Sequence, residues 1–145
     1  MLHQNLDEYG QRLIEAGILL FLIGLLIGLA VPVFENPRMG LSSHLESLFN
    51  GLFLMVVGLI WGRIALAEKA MLALFALLIY GTFANMTATL LAAIWGAGEM
   101  MPIAGKGMSG STAQELIIAF LLVTLALAMI ASTIMILVGL RRGRA

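Results

Sequence analysis

Four stretches of this chain are long, apolar and free of charged side chains. A helix satisfies its own backbone groups in lipid, whereas an open sheet does not, and a helix that crosses the hydrocarbon core needs about 20 residues. The pattern therefore predicts an all-α integral membrane protein, with a single domain over residues 1–145 and four transmembrane helices in an antiparallel bundle. The uncharged stretches are residues 16–34, 47–62, 70–98 and 116–140, and the spans predicted around them are residues 13–34, 43–66, 69–97 and 112–140.

Two polar segments resemble each other and indicate a repeated arrangement. Residues 38–46 and residues 106–115 each run from a basic residue through glycine, methionine and serine to a glutamate. This likeness favours two tandem helical hairpins in the same orientation. Each segment also ends in the spacing of a capping box, in which a Ser or Thr and a residue three positions later satisfy the first N–H groups of a helix. The predicted boxes pair Ser43 with Glu46 and Thr112 with Glu115.

The lysine and arginine residues predict how the helices are oriented, because cytoplasmic loops carry most of these residues. Six of the eight lie on one side of the predicted bundle, which places both termini in the cytoplasm and the protein in the cytoplasmic (inner) membrane of a bacterium. The loops at residues 35–42 and 99–110 then face outward. The six are Arg12, Arg63, Lys69, Arg141, Arg142 and Arg144, and the other two are Arg38 and Lys106.

The composition of the 145 residues excludes several classes of protein. Apolar residues make up 61% and charged residues 11%, against about 45–50% and 25% in soluble domains. The formal net charge is zero, so a nucleic acid is not expected as a partner. The chain has no cysteine, and it shows neither nucleotide-binding motifs nor the Glu-x-x-His spacing of di-iron bundles. No metal site and no cofactor is predicted.

Glycine pairs four residues apart indicate close contacts between helices. Gly24 and Gly28 lie in the first span, and Gly58 and Gly62 lie in the second. Small residues let helices approach closely in lipid, where the hydrophobic effect does not drive their association. These contacts are predicted either within one chain or between copies, and they favour a homo-oligomer.

Polar side chains inside the apolar spans are the candidate functional groups, because such residues are costly in a bilayer. Glu46 and Asn50 lie one helical turn apart and share a face. If that face meets Asn85 of the third span, a polar pocket forms in the outer half of the bundle. The candidates are Glu46, Glu115 and His44 for catalysis, and Arg38, Asn50, Asn85, Gln114, Tyr80, Phe53 and Trp95 for substrate binding.

Each candidate also has a simpler interpretation. Glu46 and Glu115 would then only cap helices, and His44 would lie at the membrane interface. Asn85 would bridge two helices, and Tyr80 would only pack against a neighbouring helix. The sequence alone leaves these alternatives open.

Several strings in the chain resemble the hydroxylaminobenzene mutase family of small bacterial membrane enzymes. They are NPRMGLSSHLE at 36–46, NGLFL at 50–54, YGTFAN at 80–85, WGAGEMMPIAG at 95–105 and AQE at 113–115. The resemblance covers roughly residues 16–140. It implies an isomerase that converts an aryl hydroxylamine into a 2-aminophenol, by moving the hydroxyl group from nitrogen to a ring carbon. Because this rearrangement is redox-neutral, the resemblance implies no redox cofactor.

This reaction resembles an acid-assisted Bamberger rearrangement. On that basis, we assign hypothetical roles to the candidate residues. One of the two glutamates would protonate the hydroxylamine oxygen, and the other would stabilise the positive charge that develops on the nitrogen and the ring. His44 would relay the proton that the ring loses, and Arg38 would keep one carboxylate ionised. The amides of Asn50 and Asn85 would orient the N–OH group. Phe53 or Trp95 would stack on the ring.

Two other classes of function remain open at this stage. A four-span transporter for lipophilic amines or cations would use a membrane-embedded glutamate in its first span, for which Glu15 is the candidate. A structural subunit of a larger membrane complex would need no chemically active residues. The polar residues of spans two to four favour the enzyme over both alternatives.

Overall fold

A computed structural model describes residues 2–143 and the side chains from residue 8 onward. Arg144, which contributes to the predicted orientation, lies outside the described residues. This part of the chain contains helices and no strands, so the predicted all-helical class is confirmed. The element order is α1 (Leu2–Ala30), a 3-10 turn (Val31–Val33), α2 (Pro37–Leu59), a 3-10 turn (Trp61–Arg63), α3 (Glu68–Trp95), α4 (Pro102–Gly105) and α5 (Thr112–Arg142).

Three helices are long and apolar enough to cross a membrane. They are residues 8–33, which include most of α1, together with α3 and α5. They indicate a membrane protein. The second helix, α2, is 23 residues long, but its first half carries Arg38, His44 and Glu46, and it is not among these three apolar helices.

The helices pack in the order in which they follow one another in the chain. The first two form one antiparallel hairpin, α3 and α5 form another, and the seam between α2 and α3 joins the two hairpins. In the described part of the chain, α1 and α5 share no extended contact, so the long helices do not close into a ring. The helix count is five rather than the predicted four, because Pro102 begins a one-turn helix, α4, within the loop between α3 and α5.

Glycines bring the backbones of α1 and α2 into direct contact. Gly10, Gly17 and Gly24 recur every seven residues on α1, and Gly51 and Gly58 do so on α2. A Cβ atom on Gly17 would lie 2.6 Å from the carbonyl oxygen of Gly51, and a Cβ on Gly51 would lie 2.7 Å from that of Gly17. These contacts fix the register of the hairpin, because no larger residue fits between the two backbones.

The two predicted glycine pairs are only partly used in this contact. A Cβ on Gly24 or Gly28 would meet Ser47 or His44 of α2, and Gly58 packs against Gly10. Gly62, in contrast, has open space around it, with no atom within 4 Å of an added Cβ. Except for Gly62, the glycines of these two pairs therefore serve packing within one chain.

Asn36 sets the beginning of α2. Its side-chain oxygen accepts hydrogen bonds from the N–H groups of Arg38 (3.1 Å) and Met39 (3.2 Å), as an N-cap does. Pro37 occupies the first helical position, where its missing N–H group costs nothing. The Asn36 amide also donates to the carbonyl oxygens of Ala104 (3.4 Å) and Gly105 (3.3 Å), which ties α2 to the loop that carries α4.

Both predicted capping boxes are wrong. Because Asn36 caps α2, this helix begins at residue 37 rather than 43, and Ser43 and Glu46 lie in its interior. The helix also ends at residue 59 rather than 66. At the start of α5, Ser111 and Gln114 form the capping box, one residue before the predicted pair. Glu115 is therefore free of the capping role and makes other contacts.

We predict that Gly17→Ala destabilises the protein because the new Cβ overlaps the Gly51 carbonyl oxygen. Overpacking of this kind costs about 1–3 kcal/mol, which thermal unfolding of the purified protein in detergent would detect as a lower midpoint. Gly62→Ala is the matched control, since its Cβ meets nothing, and its midpoint should stay close to that of the parent protein. Equal midpoints for the two variants would contradict the proposed register of α1 and α2.

Candidate active site

A hydrogen bond between two polar side chains crosses the seam between α2 and α3. The Asn85 amide nitrogen donates to Oε2 of Glu46 over 2.8 Å. Both side chains are half-buried, so this carboxylate is shielded from water but can be reached from the side of the seam. Among the described residues, Oε1 of Glu46 has no hydrogen-bond partner, and no lysine or arginine forms an ion pair with Glu46. One carboxylate oxygen is thus held in place while the other is available to a ligand.

Asn50 lies one helical turn beyond Glu46 on the same face of α2, about 6 Å further along the helix axis. Its side chain is only 8% exposed, and its amide nitrogen has no hydrogen-bond partner. A buried donor without an acceptor typically costs about 1–3 kcal/mol. The hydroxyl groups of Thr82 and Thr89 on α3 donate to carbonyl oxygens of their own helix. The buried Asn50 amide nitrogen therefore lies beside Glu46 without an acceptor.

His44 faces the other neighbour of α2. Its Nδ1 lies 2.7 Å from the carbonyl oxygen of Gly24 on α1. A carbonyl oxygen only accepts, so Nδ1 carries the hydrogen, and Nε2 of a neutral ring is left as an acceptor. The ring lines a groove of about 460 Å³ between α1 and α2, together with Leu25, Gly28 and Leu41. Two residues turn a helix by about 200°, which is why His44 and Glu46 face different helices.

Glu115 is buried at the first turn of α5 and holds the loop between α3 and α5. Its Oε1 accepts hydrogen bonds from the N–H groups of Gly98 (3.0 Å) and Gly110 (2.8 Å), and its Oε2 accepts one from Glu99 (3.2 Å). The three donors come from both ends of the loop. The hydrogen bonds to this carboxylate therefore hold residues 96–111 in place over the beginning of α5. A groove of about 430 Å³ lies beside it.

Three predicted binding residues make other contacts. The Gln114 side-chain oxygen accepts from the Ser111 N–H (2.7 Å) as part of the capping box. The Tyr80 hydroxyl lies 2.6 Å from the hydroxyl of Thr124, so Tyr80 joins α3 to α5. Arg38 is exposed, and it forms no ion pair with Glu46 or Glu115 in the described part of the chain.

The two predicted aromatic residues lie in different hydrophobic clusters. Phe53 is half-buried and packs against the main core, which includes Leu54 and Leu78. Trp95 packs at the end of α3 against Met39 and Ile118. Phe53 follows Asn50 by three residues and therefore lies on the same face of α2 as the Glu46 site. Trp95 lies at the end of the molecule that carries the loop between α3 and α5.

The structure thus brings together only part of the predicted pocket. Glu46, Asn50 and Asn85 meet at the α2–α3 seam, whereas His44 and Glu115 each have separate partners. Within the described residues, no three His, Asp or Glu side chains lie close enough to hold a metal ion. Asn36 was missed by the sequence analysis as a positioning residue, although an asparagine directly before a proline is a recognisable helix-start signal.

We predict that Glu115→Gln loosens the loop over residues 96–111. The glutamine would place its NH2 group, a donor, opposite the N–H of Glu99, which is also a donor. At least one of the three hydrogen bonds is therefore lost. Hydrogen exchange followed by mass spectrometry should show about tenfold faster exchange in peptides from this loop, which corresponds to a loss of about 1.4 kcal/mol. Glu99→Gln, whose side chain is exposed, is the control. Unchanged exchange in Glu115→Gln would show that Glu115 does not anchor the loop.

Comparison with known proteins assigns the chain to a family. Residues 9–141 match the styrene oxide isomerase family. Hydroxylaminobenzene mutase HabB of Ectopseudomonas oleovorans is 52% identical over 132 residues, which cover 90% of this chain and 80% of the relative. Hydroxylaminobenzene mutase HabA of the same organism is 45% identical over 131 residues, covering 90% and 97%. No solved structure matches. By the extent of these matches, the chain belongs to the styrene oxide isomerase family.

Proposed function

We propose that this protein is a membrane-embedded hydroxylaminobenzene mutase, an isomerase that converts aryl hydroxylamines into 2-aminophenols. Two relatives that carry this name are 52% and 45% identical to the chain over most of its length. The single observation that carries the proposal on the structural side is the Glu46 carboxylate. It is held by Asn85 in an apolar seam, beside the unpartnered amide of Asn50.

We further propose that all four long helices cross the cytoplasmic membrane, with both termini in the cytoplasm. The second helix runs antiparallel to α1 and to α3 and lies alongside both. Its 23 residues give a length of about 35 Å, enough for a hydrocarbon core of about 30 Å. Arg63 and Lys69 then share one membrane face with Arg141 and Arg142, as the rule for positive residues requires.

We also propose a homo-oligomer, but the glycine pairs that first indicated it no longer support it. The glycines of α1 and α2 are used within the chain. Small residues that stay exposed lie on α3, for example Ala76, and on α5, where Ala126 and Thr133 are accessible to another helix. A contact between copies would therefore involve α3 or α5 rather than α1.

The reaction moves one oxygen atom within one molecule and needs little beyond proton transfer. Protonation of the hydroxylamine oxygen weakens the N–O bond. The oxygen leaves nitrogen and forms a bond to the ortho carbon, while positive charge develops on the nitrogen and the ring. The ortho carbon then loses its proton to the conjugate base of the acid, which restores the aromatic ring. The extra proton on the transferred oxygen passes to the nitrogen, which becomes the NH2 group of the product. Substrate and product are isomers, so atoms and electrons balance without an added reductant or oxidant.

In our proposal, Glu46 performs both proton transfers that involve the acid. Its free oxygen, Oε1, gives a proton to the hydroxylamine oxygen, and the resulting carboxylate lies next to the cation that forms. The same carboxylate then takes the proton of the ortho carbon. The hydrogen bond from Asn85 to Oε2 keeps the carboxyl group in one orientation, which is the arrangement that positioned acid catalysis requires.

Asn50 and Phe53 complete the proposed site. The Asn50 amide donates a hydrogen bond to the N–OH oxygen, and this bond would satisfy a donor that is otherwise buried without a partner. Phe53, one turn further along α2, provides an apolar surface for the aromatic ring. A small neutral substrate dissolves in the membrane and reaches the half-buried seam from the side.

We assign no proton transfer to the other predicted site residues. Glu115 positions the outer loop, which in turn holds the Asn36 cap of α2. His44 faces α1 and is separated from Glu46 by the width of the helix. The transporter alternative depended on Glu15, which is exposed and accepts a hydrogen bond from Gln11 one turn earlier on α1. An exposed glutamate that is already paired with a neighbour on its own helix does not favour transport.

We predict that membranes containing this protein convert hydroxylaminobenzene into 2-aminophenol without added nicotinamide or metal, as measured by chromatography of the products. Glu46→Gln keeps the shape of the side chain and an acceptor for Asn85 but has no transferable proton. It should lower turnover by about 10²- to 10⁴-fold, the usual contribution of a positioned acid.

Glu15→Gln is the matched control for this experiment, and its turnover should equal that of the parent protein. Full turnover in Glu46→Gln, at equal protein levels, would exclude Glu46 from the chemistry. Unchanged hydroxylaminobenzene in membranes with the parent protein, across ring-substituted analogues as well, would exclude the mutase itself.

A further inference from the structure

A third groove lies at the opposite end of the molecule from Glu115. Its volume is about 450 Å³, and it forms where the segment between α2 and α3 meets the end of α5. None of the residues in the proposed mutase site belongs to it. The groove is lined by Ile60, Gly62, Arg63, Ala65, Leu140 and Gly143.

Backbone hydrogen bonds hold the two sides of this groove together. The Ala65 N–H donates to the carbonyl oxygen of Gly139 on α5 over 3.1 Å, which fixes the connecting segment to that helix. A Cβ on Gly143 would lie 2.7 Å from the Arg63 carbonyl oxygen, so a glycine is needed for the close approach. Within the 3-10 turn, the Arg63 N–H bonds to Ile60. Arg63 is thereby placed beside the last turn of α5.

Three guanidinium groups belong to this end of the molecule. Arg63 lines the groove, whereas Arg141 and Arg142 follow the lining residue Leu140 in the chain but are not themselves lining residues. All three are exposed, and none forms an ion pair with a carboxylate that the structure describes. The nearest acidic residue along the chain is Glu68, which is also exposed. The groove therefore has an excess of positive charge.

The helix dipole opposes an anion here but does not outweigh the arginines. The C-terminal end of α5 carries about half an elementary negative charge, whereas Arg63 in the groove carries a full positive charge and Arg141 and Arg142 add two more nearby. Guanidinium groups match the geometry of phosphate oxygens, because each offers several N–H donors in one plane. The walls of the groove are apolar at Ile60 and Leu140, and such a combination suits a charged group that is attached to an apolar chain.

We propose that this groove binds a negatively charged phosphate group. If the helices cross the membrane as proposed above, the groove lies at the level of the lipid headgroups, and the phosphate of an anionic phospholipid is one source. Free phosphate from the cytoplasm is the other. Arginine residues are common at the cytoplasmic face of membrane proteins even where no ligand binds. The test must therefore distinguish binding in this groove from attraction to exposed positive charge in general.

The test uses the full chain in nanodiscs and three variants. Native mass spectrometry measures how much phosphatidylglycerol the protein retains, and calorimetry in phosphatidylcholine nanodiscs measures binding of inorganic phosphate. Arg63→Gln removes the charge inside the groove. Gly62→Leu fills the groove but keeps every charge, and it should fold because nothing lies within 4 Å of a Cβ at this position. Lys69→Gln removes a nearby exposed charge that does not line the groove.

We expect Arg63→Gln and Gly62→Leu each to weaken binding of one of the two probes about tenfold, while Lys69→Gln retains the affinity of the parent protein. The probe that responds identifies the source of the phosphate. Equal binding by all four proteins would overturn the proposal, as would an equal loss in Lys69→Gln and Arg63→Gln, which would indicate surface charge alone. Gel filtration of each variant checks that it is folded. None of these readouts depends on mutase turnover.

Discussion

The hydrogen bond from Asn85 to Glu46 is the contact on which the proposed chemistry depends. A carboxylate inside an apolar helix seam is costly without a donor, and Asn85 provides that donor from the facing helix. The bond can form only if α2 has the correct register against α3. The Asn36 cap fixes where α2 begins, and the Glu115 carboxylate fixes the loop that supports this cap. On the other side of α2, the contact between Gly17 and Gly51 fixes its register against α1.

This arrangement divides the polar residues of α2 between two neighbours. Glu46 and Asn50 face α3, while His44 faces α1, so one polar helix contributes to two different surfaces. These polar side chains are the reason why α2 is not among the three helices that are apolar enough to cross a membrane by composition. In a membrane isomerase, such a helix is where chemistry is expected, because ionisable groups persist in a bilayer only where they have partners or a function.

Much of the fold was predictable because long apolar runs leave few alternatives to helices. The extents of α3 and α5 agree with prediction to within about two residues. The beginning of α2 was not predictable from the Ser43 and Glu46 spacing, because the same spacing occurs by chance inside a helix. Only the partner atoms of Asn36 show where the cap lies. Helical periodicity places Glu46 and Asn50 on one face of α2, but it does not show that this face meets Asn85. The partners of Glu115 were not predictable either, since they are backbone N–H groups of a loop whose path the sequence does not specify.

A double-mutant cycle between Glu46 and Asn85 tests the central claim most directly. Turnover of hydroxylaminobenzene would be measured for Glu46→Gln, Asn85→Ala and the double variant. If Asn85 acts by holding the Glu46 carboxyl group, the double variant should be no slower than Glu46→Gln alone, because residues that act as a unit are strongly non-additive. Losses that multiply across the two positions would show that Asn85 and Glu46 act independently, and would contradict the account.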